Sequence, residues 1–302
     1  IIGCGRISKN HVKAILYNQT RSKIVALCDT NKTNLKNIEE FIKRETKDIK
    51  ENVNPILYKN FDRLLEDHKN KKIMIDLVVI ATPSGFHAPL AIKAAQNGIN
   101  VCSEKPMATK WKDAKEMINE CKSANVKLYV VKQNRFNKTI NLLKKQIDAK
   151  RFGKISLVTV NVFWQRPQSY YDKDEWRGTW ELDGGALMNQ ASHYVDLLCW
   201  LNGPIKSVIA QSATINRNIE VEDTIVLNLA WENGSLGTMA VTMLTFPENI
   251  EGSFTILGEN GSVKIGGKSV NKIEFWKFKD KHTDDLELSL IHISEPTRRP
   301  II

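Results

Sequence analysis

A lysine lies between a glutamate and a proline at Glu104-Lys105-Pro106, directly after an apolar run of β character. That is where the fourth or fifth strand of a nucleotide-binding sheet should end. Open α/β sheets bind ligands at the carboxyl ends of their strands, so a lysine there is placed for chemistry rather than packing. The chemistry a lysine there suits is proton transfer, although the tripeptide on its own is a weak signal.

Two distant groups of residues give the tripeptide its weight. Gly3-Cys4-Gly5 allows a tight turn, and it lets a pyrophosphate approach the backbone where Arg6 and Ile7 open a helix. Ser8 stands where a third glycine is usual, so a purely structural glycine turn is the plain alternative. Asp29 closes the next apolar run. An acid there accepts hydrogen bonds from ribose hydroxyls and repels a 2′-phosphate, which favours NAD over NADP. Arg6 would argue for NADP, but it comes too early for the phosphate pocket. Thr82 and Pro83 follow a third apolar run beside the same crevice. His87 is either a helix-capping residue on the nicotinamide side or a structural turn histidine.

Farther on, Asn189 and His193 stand at i, i+4 spacing, and Asp196 follows one step later. A single helix over 185–201 would set all three on one face. A lone histidine is more often a satisfied core group; three polar groups among Leu197, Leu198 and Trp200 shift that balance. Of the three, Asp196 has buttressing the fold as its expected job. Gly184-Gly185 would let backbone approach a ligand closely. Upstream, Gln165, Arg166, Tyr170, Tyr171, Trp176 and Arg177 make a loop dense in guanidinium and aromatic groups. Such a loop suits a sugar nucleotide, with bases stacking and phosphate or carboxylate taken bidentately by arginine. A well-packed interface loop is the alternative.

These residues need two kinds of scaffold. Up to about residue 134, short β-rich runs alternate with helical patterns, the mark of βαβ units in a doubly wound parallel sheet. Expected strands cover 24–28, a short piece at 58–61, a fully buried run at 75–81, then 100–103 and 127–131. Expected helices cover 89–97, with Gly98 at its end, and 113–124. Asn31 or Thr30 caps the helix after Asp29, and Asp62 caps the helix carrying Leu64 and Leu65. Beyond a helix over 138–149 come long β-branched runs at 155–164, 205–214, 224–231, 235–245 and 254–257, without crossover helices. They predict a mostly antiparallel sheet in an α+β domain over 135–287, with Asn233-Gly234 turning a hairpin. The open face of that sheet should be covered by another copy of the chain, which predicts a homodimer or homotetramer.

Bulk properties agree with a soluble enzyme. The 302 residues suffice for two domains, with 42% hydrophobic and 26% charged residues. The net charge of +10 is spread along the chain with no basic block, which argues against nucleic-acid binding. It reads as a solvated surface that steers anionic substrates, or as simple lysine-rich bias. The five cysteines are far apart with no metal-binding spacing, so no metal is expected, and a reducing, cytoplasmic setting is favoured. No apolar run is long enough to cross a membrane. The chain begins at Ile1 inside the expected first strand. Residues 288–298 read as a translated sequencing adapter, so 288–302, His292 included, are excluded from fold reasoning.

Taken together, Gly3-Cys4-Gly5 with His11, Ala81-Thr82-Pro83 with His87, Glu104-Lys105-Pro106, Gln133-x-Arg135 and Asn189 with His193 resemble the glucose-fructose oxidoreductase/inositol dehydrogenase family. The resemblance spans residues 1–287. Gln165-Arg166-Pro167 through Tyr171, Trp176-Arg177-Gly178-Thr179 and 185–190 look most like its UDP-N-acetylglucosaminuronate 3-dehydrogenase branch. The resemblance implies NAD as cofactor and oxidation of the C3 hydroxyl of a UDP-linked N-acetylated aminouronic acid for bacterial surface polysaccharide synthesis. Another sugar or inositol as substrate, or a non-catalytic NAD-binding regulator, are the alternatives. In some members 2-oxoglutarate regenerates the bound nucleotide. It implies Lys105 and His193 as the catalytic pair, and Asn189, Arg166, Arg177, Tyr171 and Gln165 on the substrate. Gly3, Gly5, Arg6, Ile7, Asp29, Thr82, Pro83, His87, Glu104, Lys105, Gln133 and Trp176 are implied on the cofactor. The wider family often carries aspartate where this chain has Asn189; the branch carries asparagine.

Overall fold

The computed structural model describes residues 1–47 and 53–286. The adapter-like segment expected at 288–302 lies outside the described residues. The described residues form two compact units, divided between Val131 and Lys132. Lys132, Gln133 and Asn134, assigned above to the first domain, therefore belong to the second unit.

The first unit alternates strands and helices in chain order: α1 (Ser8–Tyr17), β1 (Ala26–Cys28), α2 (Lys32–Glu45), β2 (Ile56–Tyr58), α3 (Phe61–Lys69), β3 (Leu77–Ile80), α4 (His87–Gln96), β4 (Asn100–Ser103), α5 (Trp111–Ser123) and β5 (Leu128–Val130). All strand pairings are parallel. Ile2 bridges Cys28 on one side and Ile80 on the other, giving the order β2-β1-Ile2-β3-β4-β5. The strand order reverses at Ile2, and the turn that follows it is where such sheets take their ligands. Pleating sends successive side chains to opposite faces. Leu27 accordingly joins Val12, Leu35, Ile38 and Ile42 under α1 and α2, whereas Ala26 and Cys28 join the core under α3, α4 and α5.

Three local expectations are corrected here. The buried run at 75–81 contracts to β3, whose first residue, Leu77, is 42% exposed although it pairs with Asn100 of β4. Asn60, not Asp62, caps α3: its side-chain oxygen takes the N–H groups of Asp62 and Arg63. Asp62 instead sits in the first turn, where a carboxylate favours the helix dipole. Finally, α4 starts at His87. A short 3₁₀ turn (Ser84–Phe86) feeds it, and Pro89 is tolerated in a first turn whose N–H groups lack intrahelical partners anyway.

The second unit contains α6 (Lys138–Asp148), β6 (Ile155–Phe163), α7 (Gln168–Asp172), α8 (Ser192–Asn202), β7 (Ile205–Ala213), β8 (Thr224–Trp231), β9 (Leu236–Thr242), β10 (Glu251–Gly258), β11 (Gly261–Gly266) and β12 (Lys272–Phe278). Its seven-stranded sheet has the order β12-β11-β10-β6-β9-β8-β7, antiparallel except for β6 beside β9. Alternation along β6 buries Val158, Val160 and Val162 completely. They share a core with Ile140 and Leu143 of α6 and with Tyr194, Leu197, Leu198 and Leu201 of α8. Register puts Val226, Ile209 and Leu236 on the opposite face, where they are 49%, 72% and 60% exposed within this unit. Asn233-Gly234 does turn the β8–β9 hairpin, with Gly234 at φ +86°.

The single helix expected over 185–201 is broken. Ala186–Gln190 forms one π-helical turn, and α8 begins only at Ser192. The Ala191 N–H reaches back to the Ala186 carbonyl at 2.9 Å, the i→i−5 bond of such a turn. Asn189 and His193 therefore lie on two segments of different pitch rather than on one regular helix face.

Candidate active site

In the first unit, the glycine turn fits a dinucleotide. Gly3 has φ +87°, and a Cβ there would lie 2.7 Å from the backbone of Ala81 and Thr82, so the turn presses directly on the end of β3. At Gly5 nothing lies within 4 Å of the Cβ position, leaving room for phosphate to approach the backbone. Arg6 and Ile7 lead directly into α1, with Ile7 at its N-cap. Asp29 takes the Cys4 N–H at 2.7 Å and the Asn31 N–H at 2.8 Å, tying the turn to the start of α2. Asn31 caps that helix. Thr82 Oγ1 is buried and accepts no hydrogen bond from the described protein, so it is one polar atom that a bound cofactor would satisfy.

Two histidines hold the strand end that carries Lys105. His11 on α1 meets Glu104 at 2.8 Å, and both are buried. Burial alone would raise the Glu104 pKa. The hydrogen bond and charge of His11, with the amide and ammonium of Lys105, outweigh it and hold the carboxyl below its usual range. The second Glu104 oxygen accepts the Lys105 N–H at 3.2 Å. On the other flank, His87 is 1% exposed, with its ring nitrogens 2.7 Å from the Pro106 carbonyl and 2.9 Å from that of Thr82. Burial pushes its pKa down, because desolvating the charged ring costs more than the two carbonyls return. A neutral ring has one N–H, so His87 donates to one of these two carbonyls and packs against the other, a bracing role that its turn position alone did not reveal.

In the second unit the loop expected to hold a sugar nucleotide forms a connected basic–aromatic cluster. Arg166 Nε donates to Gln190 at 3.0 Å, and its Nη1 donates to the Gln165 carbonyl at 2.7 Å. The hydroxyl of Tyr170 accepts from Gln190 at 3.1 Å and from Arg177 at 2.7 Å. Arg177 also donates to Asp174 and stacks 4.4 Å from the Trp176 ring centroid. Tyr171 is the exception: it is 7% exposed, edge-on to Tyr170, with its phenol pKa raised by burial.

Around the π turn, Gln133 and His193 meet through their Nε2 atoms at 2.8 Å. With the amide nitrogen donating, the His193 Nε2 is the acceptor. Asp196 takes two 2.7 Å hydrogen bonds from Arg135, which bears out its buttressing role. Two further acids hold the turn itself. Asp183, 2% exposed, accepts from the side-chain amide of Asn189, and Glu222 accepts the Leu187 N–H at 2.9 Å. A Cβ on Gly185 would collide with the Glu222 carboxylate, which explains the glycine by space rather than by backbone angle. Sequence reasoning missed Asp183, Glu222 and Gln190. Each of the two acids stands close to another acid, Glu181 for Asp183 and Glu220 and Asp223 for Glu222, so no local signal singles it out.

All five cysteines are free thiols, and burial raises Cys28 and Cys102 to about 11. Among the described residues no cluster of acids, histidines and cysteines is suited to a metal, and no helix is long and apolar enough to cross a membrane.

Residues 1–132 match the model of an oxidoreductase family with an NAD-binding Rossmann fold, and residues 140–264 match the GFO/IDH/MocA C-terminal domain. Among solved structures, the WlbA dehydrogenase of Bordetella pertussis, in complex with NADH and UDP-GlcNAcA, is 50% identical. The match covers 96% of this chain and 79% of that one, with a TM-score of 0.88. A WlbA dehydrogenase from Chromobacterium violaceum, with the same two ligands, is 46% identical at the same coverage and TM-score. The scyllo-inositol 2-dehydrogenase (NAD(+)) of Bacillus subtilis is 25% identical over 88% of this chain and 72% of its own length.

Proposed function

Because the chain belongs to the GFO/IDH/MocA oxidoreductase family, whose nucleotide half is an NAD-binding Rossmann fold, we propose that it oxidises the C3 hydroxyl of a UDP-linked N-acetylated aminouronic acid. The observation that carries this reading is the braced strand end. A buried histidine–carboxylate hydrogen bond and a second buried histidine hold Lys105 at the carboxyl end of β4, in a unit whose Gly3–Gly5 turn fits a dinucleotide. The half-identical neighbours bound to NADH and UDP-GlcNAcA supply the substrate class.

NAD, when bound, supplies the acceptor for the hydride leaving C3. Gly3, Gly5, Arg6 and Ile7 would hold its pyrophosphate, Asp29 would take its ribose hydroxyls, and Thr82, Pro83 and Glu104 would complete its site. Lys105 accepts the proton of the C3 hydroxyl as the ketone forms, and His193 is the second proposed catalytic residue. Asn189 holds a sugar hydroxyl. Arg166 and Arg177 face the uronate or pyrophosphate, with Tyr170 between them. Gln133 orients His193 through the hydrogen bond they share, and Trp176 keeps the Arg177 plane fixed by stacking. The product feeds surface polysaccharide synthesis in the cytoplasm, and 2-oxoglutarate is the reoxidant of NADH to be tried first. The apolar outer face at Ile209, Val226 and Leu236 supports a homo-oligomer.

The test is a substrate panel read by NADH absorbance. UDP-linked N-acetylglucosaminuronate, the same sugar without UDP, and inositol are titrated with NAD. Turnover confined to the UDP-linked uronate is expected. Equal kcat/KM for inositol or for the free uronate would replace this reading with another sugar dehydrogenase of the family.

A further inference from the structure

The two oxygens of Asp183 reach two segments that the proposed function assigns to the sugar nucleotide. Oδ2 accepts the N–H of Gly178, the residue after Arg177, at 2.7 Å. Oδ1 accepts from Nδ2 of Asn189 on the π turn. Neither end can easily drift. Gly178 has φ +71°, and its Cβ position lies 2.6 Å from the Ile219 side chain, while Gly184, beside Asp183, has φ +85° and packs on Met188. Glu222 holds the same π turn from its other side through the Leu187 N–H.

A carboxylate can only accept, so it leaves the Asn189 amide no choice of orientation. The NH₂ edge must face Asp183, and the carbonyl oxygen must face away from it. Turning the amide over would set oxygen against oxygen in a buried setting and forfeit a charge-assisted hydrogen bond. We propose that Asp183 is a positioning residue that commits the amide oxygen of Asn189 to the substrate, so that Asn189 recognises a sugar hydroxyl as hydrogen-bond donor. This rests on the reading that Asn189 touches the sugar. It also accounts for an asparagine where a carboxylate is commoner: the negative charge stands one step back, on Asp183, and the ligand meets a neutral acceptor of fixed direction.

The experiment compares wild type, Asp183→Asn, Asn189→Asp and the double exchange, by steady-state kinetics, NAD binding and melting temperature. Asp183→Asn is expected to raise the sugar KM about tenfold or more, as for loss of a hydrogen bond to a charged group, with NAD affinity unchanged. The double exchange restores an amide facing a carboxylate, and residue 189 again can only accept, so KM should recover most of the loss. A KM within twofold of wild type in Asp183→Asn, or a double exchange no better than that variant, would overturn the assignment. Should Asp183→Asn not fold, Asn189→Asp alone sets two carboxylates together, and an unchanged KM there overturns it equally. If the wild type oxidises a different sugar, the proposed substrate falls while the four-variant comparison, run on that sugar, still decides the role of Asp183.

Discussion

Lys105 and Asn189 are held by opposite means. The lysine stands at the end of a regular strand, and what steadies it comes from two helices of the same unit: His11 from α1 against Glu104, and His87 from α4 against Pro106. The asparagine stands in a backbone irregularity, a single π turn, and acids clamp it, Asp183 nearby and Glu222 from the segment just before β8. In the first region the fold supplies the direction and two histidine contacts refine it. In the second, side chains impose the direction on a segment that regular helix would carry elsewhere. The nucleotide unit can therefore lose a brace and keep its sheet, whereas the π turn has no regular structure beneath it to fall back on.

Substitutions break or sharpen this contrast. The largest effect is expected at Lys105 itself. Lys105→Met should lower kcat by about 10²–10⁴, the usual yield of a positioned proton acceptor, with NAD affinity preserved. Normal turnover with NAD bound would remove the lysine from the chemistry. Next comes His11→Ala, which strands the buried Glu104 carboxylate. A loss of about 3 kcal/mol or more in denaturant unfolding is expected, as for breaking a buried pair. If kcat instead falls with stability intact, the pair acts on Lys105 rather than on the fold.

Gly185→Ala drives a methyl group into Glu222 and should cost about 1–3 kcal/mol, the range for overpacking a filled site. The contrast predicts that its sugar KM rises while NAD binding holds. Equal damage to both would mean the π turn is not separately supported. The smallest effect is in pH. Burial lowers the His87 pKa from 6.5, so between the folded and unfolded values the unfolded chain binds more protons. Its stabilising contribution is full above pH 6.5 and is lost as pH falls through the folded value. Melting curves from pH 7 to 5 should show this decline in wild type and a shallower one in His87→Asn.

The nucleotide unit was legible because its signals are local. Apolar runs such as Val78–Ile80, the glycine turn and the acid closing β1 each announce themselves within a few residues. Even there the cap of α3 was misplaced, because Asn60 and Asp62 are both plausible caps and only the backbone turn chooses between them. The π turn was not legible. One inserted residue leaves the apolar spacing of Leu197, Leu198 and Leu201 intact, so the pattern still reads as unbroken helix. Glu222 meets Leu187 across 35 positions, and nothing local marks that contact. β11 and β12 were missed because lysines and glycines dilute their alternation, although Val263, Ile265 and Ile273 are buried.

Ile2 sits at the centre of the parallel sheet, between Cys28 and Ile80. On a ribosome adding about 5–20 residues per second, its second neighbour arrives several seconds after Ile2 is made. Until then the middle of the sheet has an open edge, while α1, α2 and β1 are already available to pack. Slowing translation after β1 would lengthen that exposure, and speeding it would shorten it. The same arrangement that aims the glycine turn at the nucleotide thus ties completion of the site to the pace of synthesis.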